Sequence, residues 1–152
     1  MHLAKFAVLQ EAQMRSSSQL TIGATYTREQ LAKKFGIEDA TLFTGIFQPR
    51  GHESVWLFIT EDKTADRTQY RDELSCEDLY VDGQMKGRKD KLLAEHFERD
   101  LEVLLFYRLS KFQFDGAAFR YEGPFRFVEQ SGKGPTSFHF RRERDSAPAV
   151  QR

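Results

Sequence analysis

The chain has 152 residues, with 23 Lys+Arg set against 23 Asp+Glu, 39% hydrophobic and 30% charged positions. This fits one globular domain with a sizeable core, and the zero net charge excludes a uniformly basic nucleic-acid coat while leaving room for a basic patch on one face. The single cysteine, Cys76, excludes an internal disulfide. No apolar run reaches membrane-spanning length, and the polar and acidic residues of the opening MHLAKFAVLQEAQMR interrupt what a signal peptide would need. A cytoplasmic protein is expected.

Leu3, Phe6, Ala7, Leu9, Ala12 and Met14 recur at helical spacing and predict a short amphipathic helix. Residues 15–19, RSSSQ, read as a linker, so residues 1–24 form a peripheral helix and joint. Thr27 and Gln30 then fit a capping box; Leu31, Ala32 and Phe35 share a face, and Gly36 closes a helix over 28–35. Gly45, Ile46 and Phe47 start a strand stopped by Pro49-Arg50-Gly51, with His52 solvated in the turn.

Residues 54–70, SVWLFITEDKTADRTQY, are the centre of the chain: an apolar β-run over 55–60 that breaks into a charged loop. Short strands are expected over 70–74 and 79–81. Residues 83–91 read as an exposed basic loop, with Asp90 capping a helix whose Leu92, Leu93, His96 and Phe97 share a face. Residues 101–107, LEVLLFY, predict a central strand. Residues 119–122 and 125–129 alternate on either side of a Gly123-Pro124 kink, and 138–140 form a last strand before a frayed tail over 145–152. About six strands and two or three short helices sum to an α+β domain with a curled mixed-to-antiparallel sheet or partly open barrel.

Zinc chemistry is not expected, since His2, His52, His96 and His139 are scattered and no CxxC or HExxH spacing occurs. Nor is there a nucleophile motif around Cys76 or any serine. Glu61-Asp62-Lys63 at a strand end, with Glu38 or Asp39 upstream, matches the skeleton of a Mg²⁺-dependent nuclease, though such a triplet is also an ordinary solvated turn. Two basic clusters, Lys86/Arg88/Lys89/Lys91 and Arg141/Arg142/Arg144, suit phosphate contacts or a solvated face. Near the first lie Trp56, Tyr70, Asp72, Tyr80 and Gln84: aromatics that stack a base, and acceptors or donors for its edge.

With these residues in view the chain resembles the domain of unknown function at the C-terminus of bacterial helicase-nuclease, type IV-like restriction proteins. The resemblance rests on residues 26–31 (YTREQL), 45–47 (GIF), 55–60 (VWLFIT) with Lys63, 70–72 (YRD), Gly83-Gln84, 87–90 (GRKD) with His96, 104–108 (LLFYR), 119–124 (FRYEGP) and 134–138 (GPTSF). In order and spacing it covers about residues 25–142, within a reading domain of 25–144. It implies an SRA/PUA-like module that flips a modified base, 5-methylcytosine or a relative, out of double-stranded DNA as the specificity part of a restriction or defence system. A nuclease or helicase subunit or fused domain would do the cutting, so the chain itself needs no catalytic residue, cofactor or metal. On that reading Trp56, Tyr70 and Tyr80 stack the base, Asp72 and Gln84 bond its edge, and Lys86, Arg88, Lys89, Lys91 and Arg108 hold phosphates. The alternatives are the small nuclease using Glu61 and Lys63, and a protein-interaction module.

Overall fold

The computed structural model describes residues 14–62, 73–82, 87–132 and 137–143. One mixed sheet organises them: β1 (Thr25–Tyr26), β2 (Ile46–Phe47), β3 (Ser54–Thr60), β4 (Glu73–Leu74), β5 (Asp78–Asp82), β6 (Glu102–Arg108), β7 (Phe119–Ser131) and β8 (Ser137–Arg142). Their order is β2-β3-β6-β7-β8-β5-β4, with β1 added to β7. Helices α1 (Arg28–Phe35) and α2 (Gly87–Ala94) complete an α+β fold with a curled, unclosed sheet, as the sequence predicts.

β3 and β6 run parallel, in register from Ser54↔Glu102 to Thr60↔Arg108. Their apolar runs do not alternate because both faces are covered. Val55, Leu57, Val103 and Leu105 point to one face, where Phe125, Phe140 and Leu93 of α2 close a core. Trp56, Phe58, Leu104 and Phe106 point to the other and pack under Leu31 of α1. Each fully buried side chain of this size contributes about 1.5–3 kcal/mol. The sheet folds back on itself: Leu74 on edge strand β4 lines the same cavity as Tyr107 on β6, although β5, β8 and β7 separate them in strand order.

Helix α1 begins and ends as its sequence dictates. Thr27 and Gln30 complete the capping box, and Gly36 closes the helix in the left-handed region at φ 66°. The Gly123-Pro124 kink is also present, inside one continuous β7 rather than between two strands. The register against β6 shifts between Leu105 and Phe106, and Gly123 has φ 94°. A second irregularity lies between Phe127 and Glu129 against β8.

Four local expectations are corrected. Residues 15–19 are no linker: Ser16–Gln19 form a 3₁₀ turn, and Ser16 is fully buried. Ser16 Oγ accepts the Trp56 indole N–H at 3.0 Å and lies 2.7 Å from His52 Nδ1. Ser17 bonds the Glu102 carboxylate through both its N–H and its hydroxyl. A hydroxyl-rich run reads as a linker in sequence, whereas here the hydroxyls satisfy a buried indole, an imidazole and a carboxylate. For the same reason His52 is half-buried against Phe35 rather than solvated. Asp90 does not cap α2 but sits within its first turn. Phe97 leaves the helical face of buried Leu93 and His96: it is exposed, with the Arg126 guanidinium 3.6 Å from its ring centre. The helix expected over 3–14 lies outside the described residues apart from Met14, which bridges to His52, and so does the tail over 145–152.

Candidate nucleic-acid interface

The parallel pair continues past the C-terminal ends of β3 and β6. There Glu61 N–H donates to Arg108 O at 3.0 Å and Asp62 N–H to Leu109 O at 2.8 Å, extending the ladder one step past the strands. The Tyr107 hydroxyl donates to the Glu61 carboxylate. Beside this pair is a cavity of about 200 Å³ lined by Leu74, Tyr107, Leu109, Gln113, Phe114, Arg120 and Glu122. That is smaller than the roughly 300–1,000 Å³ of drug-sized sites and suits one planar ring.

Apolar side chains wall the cavity, and its polar groups are held from behind. Glu122 sits in the bulged stretch of β7. Arg142 on β8 donates to its carboxylate at 3.3 Å and to its carbonyl at 2.8 Å, and Arg120 Nε lies 3.7 Å from the other carboxylate oxygen. Such a carboxylate is fixed in place yet keeps lone pairs for another donor. Gln113 accepts from Leu109 N–H, which orients its amide. The rim is the β6–β7 connection, where Leu109 is half-exposed, Phe112 is 81% exposed, and Lys111 Nζ lies 5.5 Å from the Phe112 ring centre. In sequence, residues 108–116 read as a polar connection that contains Phe112 and Phe114. Phe112 and Phe114 within a loop were the available signal, since aromatics there have no strand periodicity to satisfy.

A second polar group lies on β5 and β8, on the face opposite buried Leu79, Val81, Phe138 and Phe140. Tyr80 and His139 stack at 4.5 Å with planes 17° apart. Asp78 bonds His139 Nε2 at 2.7 Å and Arg141 Nε at 3.1 Å. The His139 bond and, less strongly, Arg141 hold the Asp78 carboxyl below the usual range.

The residues singled out by sequence are only partly brought together. Trp56 is corrected: it is 0% exposed, ringed by Phe35, Phe47, Phe58 and Phe106, and no base can stack on it in this arrangement. Tyr80 is half-buried on β5 and stacks on His139, whereas Trp56 packs on Phe35, Phe47, Phe58 and Phe106. Tyr70, Asp72, Gln84 and Lys86 lie outside the described residues. Arg88 is in the first turn of α2, its side chain outside the description. Lys89 turns inward, its Nζ 3.4 Å from Ile46 O, whereas Lys91 is exposed. Arg108 is corrected as a surface phosphate contact: it is only 9% exposed, with Nε on Thr60 Oγ1 and Nη1 on Ala117 O, both at 2.7 Å. In the second basic cluster, Arg141 pairs with Asp78 and Arg142 with Glu122, and Arg144 lies outside the description.

Of the nuclease skeleton, Glu61 accepts from Tyr107, and Asp39 caps the 3₁₀ turn Ala40–Phe43 through Thr41 in the field of Arg50 and Lys89. Lys63 is outside the described residues. Among the described residues no three His, Cys, Asp or Glu side chains are grouped to hold a metal, and no helix is long and apolar enough to cross a membrane. Comparison of the chain with protein-family models finds no match, and comparison with curated proteins likewise finds none.

Proposed function

We propose that this chain is a DNA-binding module that reads a modified base, 5-methylcytosine or a relative, by receiving it flipped from the duplex into the mouth of its curled sheet. The observation that carries this reading is the small cavity with apolar walls and a fixed carboxylate, Glu122. Phe114 supplies a ring face, Leu74 and Leu109 suit a methyl substituent, and Glu122 accepts from an exocyclic amino group. Lys111 and Phe112 on the rim meet the strand from which the base leaves, and Lys91 adds charge on α2. As in the sequence reading, Asp72 and Gln84 belong to the same recognition set. The module serves a restriction or defence system whose cutting activity resides in another domain or subunit.

The test is equilibrium binding to matched duplexes carrying cytosine, 5-methylcytosine or 5-hydroxymethylcytosine. Stacking on an aromatic is worth about 1–3 kcal/mol per base, so Phe114→Ala should weaken binding to the preferred duplex roughly 5- to 150-fold. Glu122→Gln should erase the preference among the three. Equal binding of all three duplexes by the unaltered protein would refute base reading. The exposed Leu109 and Phe112 favour one other reading, a protein-interaction module, which predicts no DNA binding even at low salt.

A further inference from the structure

The cavity beside Tyr107 is lined by two opposite charges, Arg120 and Glu122, and a bulge sets them side by side. Leu105 pairs with Gly123 and Phe106 with Tyr121, so Glu122 is the extra residue of β7, without a Cα partner on β6. A bulge re-aims a side chain in this way. Arg120 pairs with Tyr107, which lines the same cavity. Arg120 Nε lies 3.7 Å from Glu122 Oε2, an ion pair longer than a hydrogen bond. The Arg120 side chain is half-exposed and, among the described residues, makes no hydrogen bond, so its N–H groups remain to be used. Of the other polar lining, the Tyr107 hydroxyl donates to Glu61 and the Gln113 oxygen accepts from Leu109 N–H. Spare acceptor capacity thus sits on Glu122, with spare donors on Arg120 next to it.

We infer that Arg120 and Glu122 read one base edge together: Glu122 accepts from the 4-amino group of a cytosine while Arg120 donates to ring N3 beside it. The inference rests on the base-reading proposal and adds to it a specificity residue and a rejected competitor. That competitor is thymine, which keeps the ring and methyl of 5-methylcytosine but carries oxygen at position 4 and a hydrogen on N3. Apolar walls do not tell the two apart; the edge does. With the methyl seated against Leu74 and Leu109, the neighbouring position 4 is fixed at Glu122. Thymine then sets its O4 against a carboxylate and its N3–H against a guanidinium, two mismatches in a partly desolvated site. A guanidinium is always charged and only donates, so Arg120 cannot adapt by taking the N3 proton as an acceptor.

The experiment measures equilibrium binding of the full chain to duplexes whose central target, 5-methylcytosine or thymine, faces an abasic site, so that no base pair is broken in either arm. The unaltered chain should bind the 5-methylcytosine duplex at least about tenfold more tightly than the thymine duplex. Arg120→Met should cut that ratio at least about fivefold, and Arg120→Lys, which keeps a donor, should retain most of it. Arg99→Gln removes a charge at the exposed Arg99–Glu95 pair and should leave the ratio unchanged. The half-exposed Arg120–Glu122 pair adds little stability, and Arg142 still holds Glu122, so Arg120→Met should fold, which far-UV circular dichroism checks. Equal binding of the two targets by the unaltered chain, or an undiminished ratio in Arg120→Met, would overturn the edge assignment. An equal loss for both targets in Arg120→Met would make Arg120 a backbone contact and overturn it too. Failure of the base reading itself shows separately, as equal binding of matched cytosine, 5-methylcytosine and 5-hydroxymethylcytosine duplexes.

Discussion

Replacing Ser16 by Ala tests whether the 3₁₀ turn is an anchor of the core or a linker. The change removes one oxygen from a fully buried site. It leaves the Trp56 indole N–H, bonded at 3.0 Å, and His52 Nδ1, at 2.7 Å, without their partner. The backbone bond from Ser16 N–H to Ser54 Oγ at 2.9 Å survives. His52 is half-buried and water can replace its bond; Trp56 is sealed and its donor stays unmet. An unsatisfied buried donor costs about 1–3 kcal/mol, so a loss of about 2 kcal/mol is expected. In a chain of this length that lowers the melting temperature by about 4–8 °C. Urea unfolding followed by far-UV circular dichroism measures the loss directly, and Trp56→Phe completes a double-mutant cycle. With the donor gone, Ser16→Ala should lose at least about 1 kcal/mol of its effect. A Ser16→Ala cost below about 0.5 kcal/mol, or strict additivity with Trp56→Phe, would refute the anchor and restore the linker.

Other expectations follow from the same geometry. His96 is 1% exposed; its Nδ1–H donates to Leu101 O at 2.8 Å and its Nε2 accepts Phe127 N–H at 3.1 Å, so protonation would set two donors face to face. Burial, the largest cause, lowers its pKa from the ordinary 6.5. The folded state thus binds fewer protons than the unfolded one below 6.5, and stability present above that pH is lost as pH falls through the folded value. Urea melts between about pH 7 and 5 should show the decline, and His96→Gln should flatten it; an unchanged slope would remove His96 as its source. Gly123→Ala forces a side chain onto φ 94° and within 2.8 Å of Ile22 Cδ1, so a loss of about 1–2 kcal/mol is expected in the same melts. Phe112→Ser should leave stability within about 0.5 kcal/mol, because its ring packs little, while weakening DNA binding. Unaltered DNA affinity would take the rim loop out of the interface.

The parts of the fold legible in sequence are those where one physical cause acts alone. The capping box of α1 needs only Thr27 and Gln30 in place, and the unalternating runs of β3 and β6 need only two covered faces. The kink at Gly123 follows from glycine's access to positive φ. What escaped depends on partners distant in the chain. Nothing local distinguishes the serines of a linker from Ser16 and Ser17, which meet Trp56 and Glu102 across 40 and 85 residues. Trp56 illustrates the limit at the site: a lone Trp on a strand suits a stacking platform or a core, and the packing of Phe35, Phe47 and Phe106 around it decides for the core. The cavity was missed because Leu74, Phe114 and Glu122 meet only when the sheet curls, and no periodicity encodes that closure.

The central claim is tested most directly by titrating the chain, at near-physiological salt, into duplexes identical except for one cytosine, unmodified, 5-methylated or 5-hydroxymethylated, while monitoring a fluorescent base analogue beside it. The account predicts tighter binding to one modified duplex by at least about tenfold, or 1.4 kcal/mol, with the analogue brightening as its neighbour unstacks and leaves the helix. Equal affinity for all three duplexes with no change in analogue emission would contradict it.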